Sequence, residues 1–396
     1  MNRRAVRVVA TLAIVTAFSL FSLKWLPVPF AWIGLAWGVI AFVLALLPVE
    51  WARMPLITLG AVAIALGMAE VWFAYTSPGD TERHTSISMS RTDAVLGWAT
   101  LGSRVIRAKA NVDDRAMYDV IYTIDAAGHR IVAPDRGDAV EGCVFFFVDS
   151  FAFGEGVNDA DTLPYQFGTL TQGRFRVVNY AAPGYGAEHM LANIERGELA
   201  RSAPCAPTHI VYLALPHHIL RAAGKPAYSA RGPHYRLRAD GTVEYFGTGI
   251  GNRPSWWQRK WQEHSAKSYV LRVLLRLPRQ TSVADANLYF AIVRQAFRKF
   301  AVRWPNAQRH IISWDIDDYF ANGTEQFHRG LATADARVTT INEIVPGYTK
   351  DSLPYSINVL ERHPNPHMYG LIARHLAADL LTESTAPVGR RVSRSP

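Results

Sequence analysis

Ser150 stands directly after an apolar run, Val144-Phe145-Phe146-Phe147-Val148-Asp149, and is followed by Phe151-Ala152-Phe153-Gly154-Glu155-Gly156. Far downstream, Glu361-Arg362-His363-Pro364-Asn365 opens what reads as the last helix of the chain. A serine hydroxyl is a weak nucleophile until a base takes its proton, and the charge that develops in the transition state needs donors already in place. A serine at the end of a buried strand presents its hydroxyl at the sheet edge. A histidine in a short Pro-rich loop before a helix can dock beside it, and Glu361, two residues earlier, can orient the imidazole. Singly these residues have plainer readings, since a serine after a strand is usually a cap and a lone histidine usually structural. Their occurrence together in this order points to nucleophilic chemistry.

These groups need elements to hold them. Near-continuous apolar runs at Val144–Val148 and His209–Leu215 suit strands buried on both faces. Phe175–Asn179, His310–Trp314 and, more weakly, Arg337–Ile341 read as further strands. Leu288, Ile292, Phe297, Phe300 and Trp304 fall at helical spacing until Pro305, and a final helix over 366–381 has Asn365 as its N-cap and Pro366 at its first position. Strands alternating with helices imply a mostly parallel sheet covered on both faces, which binds ligands beyond the C-terminal ends of its strands. Ser150, Gly184 and His217 all follow predicted strands and should converge there. Before this region, Ser77 to Ser90 reads as a polar linker, and Tyr118 to Asp125 as a strand that turns at Ala126-Ala127-Gly128 towards His129–Val132. An insertion over about 228–279 holds a hairpin with an Asp240-Gly241 turn and then a basic helix, Ser255 to Leu277, carrying Trp256, Trp257 and Trp261. That helix either covers the site, lies on a membrane surface, or packs its tryptophans inward as an ordinary domain helix.

Val148-Asp149-Ser150-Phe151-Ala152-Phe153-Gly154-Glu155-Gly156-Val157 resembles the first block of the SGNH (GDSL-like) hydrolase family. Val177-Val178-Asn179-Tyr180-Ala181-Ala182-Pro183-Gly184-Tyr185-Gly186 resembles its second block, and Glu361-Arg362-His363-Pro364-Asn365 its last. The resemblance covers roughly 143–381 and implies a flavodoxin-like three-layer α/β/α fold and acyl-ester hydrolysis or transfer. By position it makes Ser150 the nucleophile and His363 the base. The N–H groups of Ser150 and Gly184 become oxyanion donors, with Asp149 and Asn179 as supporting residues. Three positions depart from the family pattern. Val148 replaces a glycine, His217 stands where an asparagine usually completes the oxyanion hole, and Leu360 stands where an aspartate usually orients the histidine, which leaves Glu361 as the carboxylate. The same parts serve hydrolases and acyltransferases, and a catalytically inactive polysaccharide-binding domain is the reading from another class.

The N-terminal region is of a different kind. Val8 to Leu23, Val28 to Leu47 and Leu56 to Ala69, the last continuing to Tyr75, are nearly free of charge and read as three membrane spans over residues 1–76. The alternative is a signal peptide over the short first stretch followed by two spans, but no small-x-small cleavage site follows that stretch. Arg3, Arg4, Arg7 and Arg53 outweigh Lys24, which puts the N-terminus inside and everything after Tyr75 outside the inner membrane of a bacterial-type cell. Glu70, close to the outer interface, is expected to be hydrated. Cys143 and Cys205 each precede a predicted strand, so a bridge and two buried free thiols both stay open. The net charge of +9 is partly in inner loops and in a tail after Thr385 that reads as disordered, and suits anionic lipid or acidic envelope polymers better than nucleic acid. Asp315, Asp317 and Asp318 form a weak candidate for a hard cation and more ordinarily a cap. Gly247-Thr248-Gly249-Ile250-Gly251 lacks the strand-to-helix frame of a dinucleotide site. No cofactor and no metal are expected. The expected partners are an acyl-ester substrate, membrane lipid around the N-terminal helices and, on the same envelope, a polysaccharide.

Overall fold

Because both faces of the central strands are covered, their residues alternate between two apolar layers instead of between core and solvent. In the computed structural model, Val144 and Phe146 pack with Val211, Leu213 and Ile312 in one layer, and Phe145 and Phe147 with Ile210, Tyr212 and Ile311 in the other. The structure describes residues 15–24, 26, 28–46, 50–76, 82–112, 115–225, 229–249, 268–271, 281–314, 323–359 and 361–384. The chain divides into two compact units, residues 1–79 with 253–279, and residues 80–252 with 280–396.

In the first unit, α1 (Val15–Lys24), α2 (Pro29–Ala45) and α3 (Glu50–Thr76) are apolar helices. Gly34 and Gly38 of α2 meet Gly67 and Gly60 of α3, so close that a Cβ at Gly34 would lie 2.6 Å from the Ala63 carbonyl oxygen. Small residues at such spacing are what let two apolar helices touch backbone to backbone. Among the described residues only α3 is long and apolar enough to cross a bilayer. The 17 residues of α2 rise about 26 Å, short of the roughly 30 Å of a hydrocarbon core. Glu70 is not hydrated as expected. It is buried, accepting hydrogen bonds from the Ser268 hydroxyl and, at 2.7 Å, from the Tyr269 N–H, so its carboxylate serves the start of the turn at 268–271. The remainder of the tryptophan-bearing segment 255–277 lies outside the described residues.

The second unit opens with β1 (Glu82–Thr85), β2 (Ser90–Asp93), β3 (Gly97–Thr100), β4 (Arg104–Val112) and β5 (Arg115–Ile124). They form a three-stranded antiparallel sheet β1-β4-β5 and a β2-β3 hairpin, so part of the polar stretch 77–90 is strand. The turn at 126–128 forms, but His129–Val132 returns only through a single Ile124–Arg130 bridge, because the Arg130 side chain is drawn inside. Then follow β6 (Gly142–Phe147), the helical turn α4 (Ser150–Phe153), α5 (Leu163–Leu170), β7 (Phe175–Asn179), α6 (Ala187–Glu195), α7 (Glu198–Ser202), β8 (Pro207–Ala214) and α8 (His218–Ala222). The hairpin β9 (Pro233–Leu237) and β10 (Val243–Thr248) turns through Gly241 at φ 78°. Last come α9 (Val283–Arg303), β11 (Gln308–Ser313), α10 (Gly323–Leu331), β12 (Arg337–Thr340), α11 (Ile341–Ile344) and α12 (Pro366–Ser384), whose N-cap Asn365 accepts from the Met368 N–H at 3.0 Å.

The central sheet runs β12-β11-β8-β6-β7 with every pair parallel. Counted along the chain this is the flavodoxin-like order 2-1-3-4-5, whose switch point lies between β6 and β8. Helices α5 and α12 cover one face, and α6 and α9 the other, giving the expected three-layer α/β/α fold. Cys143, at the start of β6, is disulfide-bonded to Cys205, with their Cα atoms 6.1 Å apart.

Two histidines buried at β8 and β11 set a stability prediction. The rings of His209 and His310 lie 5.8 Å apart. Burial, then the neighbouring His310, pushes His209 down to about 4. Burial, then Arg337 and His375, does the same to His310. The unfolded chain therefore takes up these protons near pH 6.5 while the folded chain resists them. Stability is expected to fall as pH drops from about 6.5 to about 4, by up to the order of 3 kcal/mol per histidine. Thermal melting across that range should show the decline, and the double variant His209→Gln, His310→Gln should flatten it.

Candidate active site

A carboxylate with no exposure stands just before the serine. Asp149 caps α4, its Oδ1 accepting from the Phe151 N–H at 2.9 Å. Its Oδ2 is 3.0 Å from His218 Nε2, 3.0 Å from an Arg221 guanidinium nitrogen and 3.6 Å from His217 Nε2. The Leu215 N–H donates to His218 Nδ1 at 3.3 Å, which leaves the ring proton on Nε2 to donate to Asp149. Burial opposes ionisation, but His218 with its hydrogen bond, the nearby His217 ring and the Arg221 charge together hold this carboxyl well below the usual range. Asp149, His217 and His218 are close enough to resemble a metal-ligand set. With the Arg221 cation already on Asp149, the donor set does not suit a second cation.

The turn bearing Ser150 is tied at its far end as well. The N–H groups of Gly154 and Glu155 both return to the Ser150 carbonyl, at 2.9 and 2.8 Å. Gly154 has φ 83°, and a Cβ there would come within 2.4 Å of the Thr162 side chain, so glycine is required on both counts. Arg130, fully buried, donates to the carbonyls of Phe153, Gly154 and Val157 and pairs with Asp159 at 3.0 Å. Asn179, also buried, donates to the Ala152 carbonyl at 3.0 Å and accepts from the Ala181 N–H at 3.1 Å, joining the end of β7 to α4. Asp149 and Asn179 thus brace the serine from behind.

The loop ahead of α12 brings the second half. His363 Nε2 lies 2.7 Å from Ser150 Oγ, and its Nδ1 is hydrogen-bonded to Glu361 Oε1. Nδ1–H donates to the carboxylate, so Nε2 is left to accept the serine proton. The other Glu361 oxygen accepts from Arg83 at 3.1 Å, and Arg83 also pairs with Glu155 at 3.0 Å. A Glu155 oxygen also lies 3.9 Å from His363 Nε2, beyond hydrogen-bonding distance, and adds negative charge beside the ring. Burial opposes the charge on Glu361, yet the hydrogen bond and charge of His363 and the Arg83 cation bring it down to about 2. Burial also lowers His363, but the Glu361 hydrogen bond and the charges of Glu155, Glu361 and Asp149 outweigh it and leave the ring above its ordinary value.

All of this opens on one cleft of about 920 Å³, lined by Ser150, His363, Gly184 and His217 among others. Gly184 adopts φ 82° at its edge. Ser150 heads α4, where the Phe151 N–H is taken by Asp149 while the N–H of Ser150 itself has no intrahelical acceptor. His217 lines the cleft with Nε2 towards Asp149, and burial and Arg221 push it down to about 3, so it is a neutral ring. Ser150, His363 and Glu361 therefore touch one another, with Gly184 and His217 on the same cleft. Arg83, Arg130, Arg221, His218 and Glu155 carry structural roles that sequence reading did not assign. One signal was present: an aspartate inside an apolar strand end must find cations. Asp315, Asp317 and Asp318 lie outside the described residues.

With this geometry in view, the chain can be set beside known proteins. No family model matches it, and no curated protein matches it. It is similar to the solved structures of a psychrotrophic esterase from Pseudoalteromonas sp. (11% identity, 62% of this chain and 100% of that one, TM-score 0.33). It is similar also to an acetyl xylan esterase from the rumen bacterium Butyrivibrio proteoclasticus (9% identity, 76% and 98%, TM-score 0.34). A third is a carbohydrate esterase family 2 enzyme from Corynascus thermopiles (12% identity, 76% and 94%, TM-score 0.35).

The electrostatics of the pair can be checked without any substrate. Titration of the His363 ring followed by NMR should give a midpoint above the ordinary 6.5, and Glu361→Gln should lower it. A midpoint that does not move in that variant would remove Glu361 as the cause.

Proposed function

We propose that this chain is a membrane-anchored serine esterase that cleaves acyl esters of a cell-envelope glycan or lipid. The observation that carries the reading is the unbroken contact from Ser150 Oγ through the His363 ring to Glu361, facing an open cleft. His363 Nε2 takes the serine proton as Oγ attacks the ester carbonyl. The oxyanion rests on the N–H groups of Ser150 and Gly184, and His217 stands beside them. The carbonyl re-forms, the alkoxide leaves with the proton from His363, and an acyl-Ser150 remains. Water, deprotonated by the same nitrogen, attacks this ester, releases the carboxylic acid and returns the serine. A sugar hydroxyl in place of water would make the reaction a transfer. These steps need no cofactor.

Anchoring rests on α3, and we extend it to three spans with the N-terminus cytoplasmic, on the strength of the Arg3, Arg4, Arg7 and Arg53 distribution. The second unit is then periplasmic, a compartment that suits the Cys143–Cys205 bond.

A fluorophosphonate probe should label the protein at Ser150. Ser150→Ala abolishes labelling, and His363→Ala slows both labelling and p-nitrophenyl acetate hydrolysis by roughly 10³-fold or more. Well-folded protein that takes no label would count against the esterase. Separately, a periplasm-dependent reporter fused after Tyr75 should be active, and the same reporter active only in the cytoplasm would reverse the orientation.

A further inference from the structure

The cleft is far larger than a short acyl group needs, and part of its lining is cationic. At about 920 Å³ it is near the upper size of small-molecule sites. Around Ser150 and His363 the carboxylates of Asp149, Glu155 and Glu361 gather, answered by Arg83 and Arg221. The antiparallel strands also line the cleft with Arg91 on β2 and Lys109 on β4, and the segment before β9 adds Arg231. There each carboxylate is shared by two cations. Asp119 takes Arg107 at 2.7 Å and Lys109 at 3.0 Å; Asp93 takes Arg196 at 3.2 Å and Arg91 at 3.7 Å. Asp93 is largely covered and Asp119 is 37% exposed, while the side chains of Arg91 and Lys109 are 57% and 46% exposed, so with two cations on each carboxylate the surface carries an excess of positive charge. Trp98 lines the same cleft, fixed by its Nε1–H to the Pro183 carbonyl at 3.2 Å and by the Tyr185 and His189 rings. A fixed aromatic beside cations suits a sugar ring bearing an anion better than an uncharged chain.

We propose that the acyl group is carried by an anionic glycan, whose carboxylate or phosphate groups lie against the Arg91, Lys109 and Arg231 wall while the ester reaches Ser150. This names a substrate class and rests on the esterase reading above. A positive wall of this kind acts on encounter and orientation, so its effect is salt-dependent.

The test keeps one backbone and varies only charge: acetylated dextran oligomers left bare, carboxymethylated or phosphorylated. Binding is measured to the full-length Ser150→Ala protein in detergent, and turnover with the unmodified enzyme. At low salt, one or both charged oligomers should bind about 10-fold or more tightly than the bare one, and show a similar gain in kcat/KM. That advantage should shrink from about 20 to about 300 mM NaCl. The preference between carboxymethyl and phosphate tells which anion is read. Arg91→Gln with Lys109→Gln and Arg231→Gln should bring the ratio near one while p-nitrophenyl acetate hydrolysis stays unchanged. If that variant does not fold, the salt titration of the unmodified enzyme decides the same question. Equal binding of bare and charged oligomers overturns the anionic-glycan proposal. Loss of p-nitrophenyl acetate hydrolysis in the unmodified enzyme, with charged oligomers still preferred in binding, overturns the esterase reading instead.

Discussion

The ionised Asp149 carboxylate, shut away from water at the end of β6, is the constraint around which the second unit is arranged. An isolated charge in such a place would cost several kcal/mol, so the fold surrounds it with an N–H from α4, a ring N–H from His218 and the Arg221 guanidinium. Those three donors come from the elements that flank the switch point. Satisfying the charge therefore fixes α4 against α8, and with them the direction in which Ser150 points. Breaking any one contact leaves a buried charge short of a partner, which is why the position of the serine is not adjustable in small steps.

The pair of Ser150 with His363 is built on this base by a second layer of charge. Glu361 fixes the tautomer and tilt of the imidazole, and Arg83 helps keep Glu361 ionised while pairing with Glu155 as well. The antiparallel strands before the parallel sheet are thus part of the site and not an appendage. β1 contributes Arg83, β2 and β4 contribute Arg91 and Lys109, and Tyr122 of β5 accepts the Gly156 N–H at 2.8 Å just beyond the turn that bears Ser150.

What could be read from sequence was whatever has a local signature. Two of the five parallel strands announce themselves by near-continuous apolar runs at Val144–Val148 and His209–Leu215, the last helix by Asn365-Pro366, and the hairpin by Asp240-Gly241. Ser150, His363 and Glu361 are legible because each sits at the end or start of such an element. Arg83 is not, since its partner lies 278 residues away and a lone arginine in a polar stretch has the same neighbours whether it is paired or solvated. Arg130 is hidden for a related reason: it interrupts a short strand that looks ordinary until its side chain is seen inside. The cysteine bridge depended on a separation between strand ends that no linear pattern encodes. Span count depended on where helices stop, and α2 stops short of the length that an uncharged run suggests.

The bridge between Cys143 and Cys205 lies at the opposite end of β6 from Ser150. Some seven residues of extended chain, on the order of 20 Å, separate the clasp from the sheet edge that carries Ser150. The covalent tie thus secures the floor of the sheet and leaves its mouth to be shaped by ion pairs. Durability against unfolding and the shape of the cleft are assigned to different ends of the same strand.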